Sequence, residues 1–205
     1  MGVKMQHFYK NIPGWAAFGG LYIDMVKKFP AGSRFVEVGS WLGRSAPLMA
    51  VEIENSGKAI EFVCVDPWKD GGPDLRDTTY YKDLGVHDVY DVFVKNVTPV
   101  VHRIKMMRMT STEAARFMDD RSVDFLMLDG DHSYDAVMSD LDAWQPKMKK
   151  GGIISGDDYT WPGVESAVTK VFNHSRVNVS INGGYAGSRR KADYKMDSSF
   201  WWVQL

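Results

Sequence analysis

Short apolar runs alternate along this chain with stretches of helical period, and several runs end on an acidic residue. RFVEV (34–38), AIEFVCV (59–65), a run across 102–108, VDFLML (123–128) and GGIISG (151–156) read as strands. Between them lie helical patterns: Gly43 to about Asn55, roughly 86–96, and Thr110 to Met118 with Thr110 or Ser111 as its cap. A further stripe runs through Tyr134, Val137, Met138, Leu141, Trp144 and Met148, and another through Val164, Ala167, Val168, Val171 and Phe172. An N-terminal stripe from Phe18 to Phe29 stops at Pro30. Strand–helix alternation of this kind predicts an α/β fold with a largely parallel sheet. VNVSI (177–181) and SFWWVQL (199–205) are read as final strands, antiparallel at the sheet edge, which brings the count to about seven. With no repeat or low-complexity linker, residues 1–205 are expected to form one domain.

Parallel strands carry their reactive groups at their carboxyl ends. VDFLMLDGDH places Asp129, Asp131 and His132 after one strand, and GGIISGDDY places Asp157 and Asp158 after the next. If the two strands are neighbours, Asp129, Asp157 and Asp158 converge, and three carboxylates at one point repel unless a cation or protons neutralise them. A hard divalent cation such as Mg²⁺, held by oxygen ligands, is the expected occupant. The simpler alternative for Asp157 and Asp158 is a cap before a helix whose first turn holds Pro162.

FVEVGSWLGRS leads from the first strand into a helix through Gly39 and Gly43. A dinucleotide fingerprint wants a glycine where Trp41 stands, and Glu37 would repel a pyrophosphate. The same carboxylate suits a ligand with an amine or another cation. S-adenosylmethionine carries an ammonium, a sulfonium and an adenosine, and no phosphate. Asp66 ends the second strand, placed to accept from ribose hydroxyls. A plain tight turn at Gly39 and Gly43, with Glu37 and Asp66 as strand-end carboxylates, is the bland alternative.

On these residues the chain resembles the class I S-adenosylmethionine-dependent methyltransferases, which have a Rossmann-like, doubly wound α/β/α sandwich. More narrowly it is similar to the metal-dependent O-methyltransferases of catechol type and of the macrolide and aminocoumarin sugar type. The resemblance runs from about residue 34 to 173. EVGSWLGRS matches the glycine motif, VDPW the ribose-acid motif and MTSTEA, more weakly, the adenine-side motif. LDGDHSY and GGIISGDDY match the two metal motifs and are the specific ones. The resemblance implies Glu37, Gly39, Ser40, Gly43 and Ser45 around the methionine part of the cofactor. It implies Asp66, Pro67 and Trp68 at the ribose, Ser111 and Thr112 at the adenine, and Asp129 shared between cofactor and metal. It also implies Asp129, Asp157 and Asp158 as metal ligands. Catechol-type enzymes usually have Asn as the last ligand and a lysine three residues after the first. Here the first place holds Asp158, closer to the sugar-modifying branch, and the second holds His132, which speaks against a lysine-based mechanism.

Methyl transfer from a sulfonium is an in-line displacement needing a deprotonated oxygen held against the methyl group. His132 is the expected base, since an imidazole titrates near neutral pH, and Asp131 is a second base or orients His132. The alternatives are a solvent-exposed helix-start histidine and an N-cap aspartate. Two neighbouring hydroxyls would chelate an ion, so a diol, sugar or catechol is the expected acceptor. The loops at 66–83 and 182–198 are expected to select it. Trp161, Trp68, Tyr134 and Tyr159 are expected near the acceptor or adenine, or in plain packing, and Trp15 over the cofactor.

The totals limit the rivals. A formal charge of -1 gives no electrostatic reason to expect nucleic acid or an anionic membrane. No apolar stretch is long enough to span a bilayer and the start does not read as a signal peptide, so a cytoplasmic location is expected. The single cysteine, Cys64, reads as an inert core thiol. The cluster Lys147, Lys149 and Lys150 is expected to end a helix, where cations suit the dipole. Five histidines, four of them away from the strand ends, make a metal-dependent hydrolase a poorer fit. A non-catalytic cofactor-binding module stays open, as does a homo-oligomer.

Overall fold

The computed structural model describes residues 4–69, 88–181 and 199–205. Most of the two loops expected to choose an acceptor therefore lies outside the described residues. The elements run α1 (Gly19–Lys28), β1 (Arg34–Val38), α2 (Ser45–Ser56), β2 (Glu61–Val65), α3 (Val89–Val97), β3 (Ile104–Met107) and α4 (Ser111–Arg116). They continue with β4 (Val123–Leu128), α5 (Tyr134–Trp144), β5 (Met148–Asp157), α6 (Pro162–Phe172), β6 (Asn178–Ile181) and β7 (Ser199–Gln204). The sheet has seven strands in the order β3-β2-β1-β4-β5-β7-β6. β1 to β5 are parallel, and β7 is inserted antiparallel between β5 and β6.

Strand residues alternate between two cores because successive side chains leave opposite faces of a sheet. Phe35, Phe62, Cys64, Phe125 and Phe200 pack with α1, α2 and α3. Val36, Val63, Leu126, Ile154 and Trp201 pack with α4, α5 and α6. The result is the expected Rossmann-like α/β/α sandwich, with Cys64 fully buried as expected of an inert thiol. Among the described residues no helix is long and apolar enough to cross a membrane.

Most element boundaries shift from expectation by a few residues, and two of the shifts lie at a proline. Met148 and the lysines beside it do not extend α5. Pro146 lies in a short 3-10 turn (Gln145–Lys147), after which Met148 starts β5 opposite Val123. Lys149 thus lies in a strand and pairs with Asp124 at 2.7 Å, rather than capping a helix. Pro99 likewise opens a 3-10 segment (Thr98–Arg103), so β3 starts at Ile104, not at His102.

The winding reverses between β1 and β4. β1, β2 and β3 proceed to one side, and the chain then returns to place β4 on the other side of β1. The carboxyl ends of β1 and β4 therefore flank a crevice of the kind that holds ligands in open α/β sheets.

Candidate active site at the carboxyl edge of the sheet

At the crevice the chain turns at Gly39, whose φ is +86°. A Cβ there would fall 1.8 Å from the Asp129 carbonyl oxygen, so only glycine lets the β1 turn lie against the β4 end. This contact holds Glu37 and Asp129 side by side. Glu37 is 1% exposed, and both of its oxygens are held from beneath. Tyr22 of α1 donates to Oε2 and Ser40 donates to Oε1, each at 2.7 Å, and Ser45 adds a further bond. Burial nevertheless pushes the Glu37 carboxyl up to about 7 against these hydrogen bonds, and the Asp129 charge adds to the rise. Tyr22 was legible only as part of a helix stripe. The signal available was that a buried tyrosine needs a partner for its hydroxyl.

The neighbouring turn is built around Asp66. Its Oδ2 accepts from the Trp41 N–H at 2.9 Å and its Oδ1 from the Trp68 N–H at 2.6 Å. Burial raises its carboxyl, these two bonds lower it, and the Asp129 charge raises it. Trp41 and Trp68 both have positive φ, 40° and 43°, an unfavourable region for bulky residues that the Asp66 bonds hold in place. The Trp68 indole turns inward, donating to the Trp41 carbonyl at 2.9 Å and packing on Phe93 at 4.6 Å. Trp68 is thus buried beneath the turn, with Pro67 half-buried beside it. Gly43 backs onto the Phe93 ring. Trp15 stacks on Trp41 at 5.5 Å, which brings part of the N-terminal segment against the glycine turn.

On the α4 side, Thr110 caps the helix in a reciprocal box with Glu113. Ser111 accepts from the Trp144 indole at 2.9 Å and donates to Asp140, whose burial pushes it up to about 6. Thr112 is half-buried one position on.

The acidic strand ends meet as neighbours, because β4 and β5 pair in parallel through Leu128 and Gly156. Ligand atoms of Asp129, His132 and Asp158 lie within 4.8 Å of one another. His132 Nε2 is 3.2 Å from Asp158 Oδ2 and 3.7 Å from Asp129 Oδ1. The His132 ring also packs against Trp161 at 5.0 Å. Asp158 sits at φ +52°, a strained position that turns its side chain away from the strand direction. Asp157 is buried, and its Oδ1 has no hydrogen-bond partner among the described residues. Burial pushes its carboxyl well up, and the charges of Asp129 and Asp158 push the same way. Asp131 bonds the Ser133 N–H at 2.8 Å, organising the turn before α5, whose N-cap is Ser133. Lys170 donates to Tyr134 Oη at 2.8 Å.

Two carboxylates and an imidazole, with a third carboxylate beside them carrying an unpartnered buried oxygen, form an O/N donor set suited to a divalent cation. The Asp129, His132 and Asp158 grouping is a candidate metal-binding triad. The sequence pattern predicts Asp157 in the ligand set and His132 beside it as a base, and the structure brings all four side chains to one strand edge.

The comparisons with known proteins agree with this architecture. The chain is 26% identical over 152 residues to the uncharacterised protein y4gI of Sinorhizobium fredii, covering 74% of this chain but only 16% of that relative's length. Among solved structures it is similar to the O-methyltransferase NovP, with a TM-score of 0.62 at 17% identity, covering 92% and 80% of the two chains. It is also similar to an S-adenosylmethionine-dependent O-methyltransferase of Thermotoga maritima, with a TM-score of 0.61 at 13% identity over 94% and 66%. A precorrin-6y C5,15-methyltransferase of Geobacter metallireducens gives 0.62 at 11% identity over 100% and 98%. At these identities the solved structures show the fold, a Rossmann-like α/β/α sandwich shared with these methyltransferases. A family described as a methyltransferase domain matches residues 36–159, more than half of the chain and all of the crevice, and the chain belongs to that family.

Proposed function

We propose that this chain is an S-adenosylmethionine-dependent O-methyltransferase acting, with the help of a divalent cation, on a small hydroxylated acceptor such as a diol, sugar or catechol. The observation that carries the reading is the meeting of two cation-seeking groups at one switch point. The buried Glu37 carboxylate lies on the β1 side, and Asp129, His132 and Asp158 lie within 4.8 Å of one another on the β4 and β5 side. Glu37 would take the ammonium of the methyl donor, Gly39, Ser40, Gly43 and Ser45 would shape its methionine end, and Asp66 would accept from its ribose. Pro67 and Trp68 would form the floor of that turn, while Ser111 and Thr112 would border the adenine. Asp129, Asp157 and Asp158 would hold Mg²⁺ or a similar ion. A divalent cation lowers the pKa of a hydroxyl that it binds. His132 stands between Asp129 and Asp158, where it can accept the acceptor's proton. Asp131, by fixing the turn that carries His132, would orient it.

Calorimetric titration with S-adenosylhomocysteine, with and without Mg²⁺, tests the donor site. Saturable binding that is lost in Asp66→Ala supports it, and absence of binding under every condition overturns it. An acceptor screen of catechols, diols and sugars then follows methyl transfer directly. His132→Gln separates the two roles open to that residue. A base leaves metal affinity intact and loses turnover, whereas a ligand loses metal affinity as well.

A further inference from the structure

A cleft of about 610 Å³ opens beyond the carboxyl ends of β2 and β3, bordered by Pro67 after one strand and Thr110 after the other. Its rim carries Lys69, Arg108 and Arg116. Several cations elsewhere on the described surface pair with carboxylates: Arg34 and Lys105 with Glu61, Arg103 with Glu54, Lys147 with Asp120 and Lys149 with Asp124. Among the described residues no carboxylate forms an ion pair with Lys69, Arg108 or Arg116. The one acid among the described lining residues is Glu113, whose Oε2 accepts from the Thr110 N–H at 3.0 Å and the Thr110 hydroxyl at 2.7 Å and whose charge also faces Arg116 and Lys69. Arg108 is braced from one side, its guanidinium lying 4.5 Å from the Tyr90 ring. A guanidinium stacked in this way keeps its edge donors for a second partner. Met109 and Phe117 add apolar wall, and Phe117 is 72% exposed.

The methyl donor does not call for this arrangement. It has no phosphate, and its one carboxylate belongs to the methionine end, at the β1 turn. We propose that the cleft is an anion site for a phosphate-bearing ligand, with Arg108, Arg116 and Lys69 taking the phosphate oxygens. Arginine forks match phosphate oxygens in pairs, and lysine adds a point charge. The volume is that of a small-molecule site, and the formal net charge of -1 disfavours a long polyanion. β3 lies three strand spacings from β4, on the order of 14 Å. A ligand with a diphosphate in the cleft and a hydroxylated ring at its far end is long enough to reach the acidic cluster. The phosphate is then either an arm of the acceptor, which rests on the proposed function, or a separate effector, which does not.

Pyrophosphate titrated calorimetrically into the full chain in EDTA, at low ionic strength, tests the site. Saturable binding is expected, weakened about tenfold or more in Arg108→Ala and in Arg116→Ala. The half-buried, ion-paired control Lys147→Ala, away from the cleft, should change it by less than about twofold. S-adenosylhomocysteine at saturation should leave it in place. Absence of saturable binding, an equal loss in Lys147→Ala, or displacement by S-adenosylhomocysteine would each overturn the proposal. UDP-glucose, a diphosphate joined to vicinal hydroxyls, then identifies the source. Affinity that falls in Asp129→Ala assigns the phosphate to the acceptor, and affinity indifferent to Asp129 assigns it to an effector. A chain that binds pyrophosphate but not S-adenosylhomocysteine would retain the anion site and lose the methyltransferase reading.

Discussion

In the proposed donor site, Glu37 is the residue on which binding would turn. Its carboxyl is raised from 4.5 to about 7 in the folded chain, so charging it costs on the order of 3 kcal/mol relative to the unfolded chain. Because the folded pKa is the higher one, the native state holds the extra proton between those two values. The stability from this group is fully present below 4.5 and is lost as pH rises through about 7. A cationic ligand reverses the balance by pairing with the carboxylate and expelling the proton. S-adenosylhomocysteine, which keeps the ammonium, should therefore bind about tenfold more tightly at about pH 8 than at about pH 6. Calorimetry at the two pH values checks this, and Glu37→Gln should remove both the affinity and its pH dependence. Tyr22→Phe deletes one of the hydrogen bonds that favour the charged form. It should weaken donor binding about tenfold and move the pH midpoint upward, with the circular dichroism spectrum unchanged.

At the scale of elements, the acidic cluster depends on how α6 meets the β4 loop. Gly163, in the first turn of α6, lies so close to that loop that a Cβ would fall 2.5 Å from the His132 carbonyl oxygen. The segment before α6 is tied at its other side to β7, where the Tyr159 N–H bonds the Ser199 carbonyl at 3.2 Å and the Thr160 N–H bonds its hydroxyl at 2.9 Å. Asp158 and His132 are thus held in register by a small residue on one side and a strand on the other. Gly163→Ala should push α6 away, costing about 2 kcal/mol in urea denaturation. It should also weaken divalent-cation affinity. Thr110→Ala provides the contrast, since it removes the cap of the six-residue α4 and should cost about 1 kcal/mol without touching metal affinity.

Across the whole molecule, the carboxyl edge of the sheet gathers negative charge on four adjacent strands. Asp66, Glu37, Asp129, Asp157 and Asp158 end β2, β1, β4 and β5, and the Asp129 charge raises the carboxyls of Glu37, Asp66 and Asp157. The chain alone bears that repulsion, and a cation relieves it. Mn²⁺ or Mg²⁺ at a hundredfold excess over its dissociation constant should stabilise by about 3 kcal/mol, a rise in Tm of a few degrees. Thermal unfolding should show this shift in the wild type and not in Asp129→Ala. Asp158→Asn, without metal, should instead be more stable than the wild type, because it removes one of the charges that raise Asp157.

Strand–helix alternation was enough to predict a parallel α/β sandwich, because each run's period fixes which face it must bury. The acidic strand ends were likewise legible, since parallel strands deliver their last residues to one edge. The turn at the end of β1 could be read from Glu37 and Gly39, and Asp66 from its place at the end of β2, where it accepts from the Trp41 N–H. Other features depended on contacts between residues far apart in sequence. Tyr22 lies on α1 and meets Glu37 only because that helix crosses β1. The grouping of His132 with Asp129 and Asp158, with Asp157 buried beside them, follows from the positive φ at Asp158 and from the seat that Gly163 gives α6. The cationic cleft joins Lys69 to Arg108 and Arg116 across two strand ends. Local pattern determines the elements and the edge at which they end, because it encodes burial. Which side chains touch there is decided by packing, through the few positions where only glycine or a left-handed backbone fits.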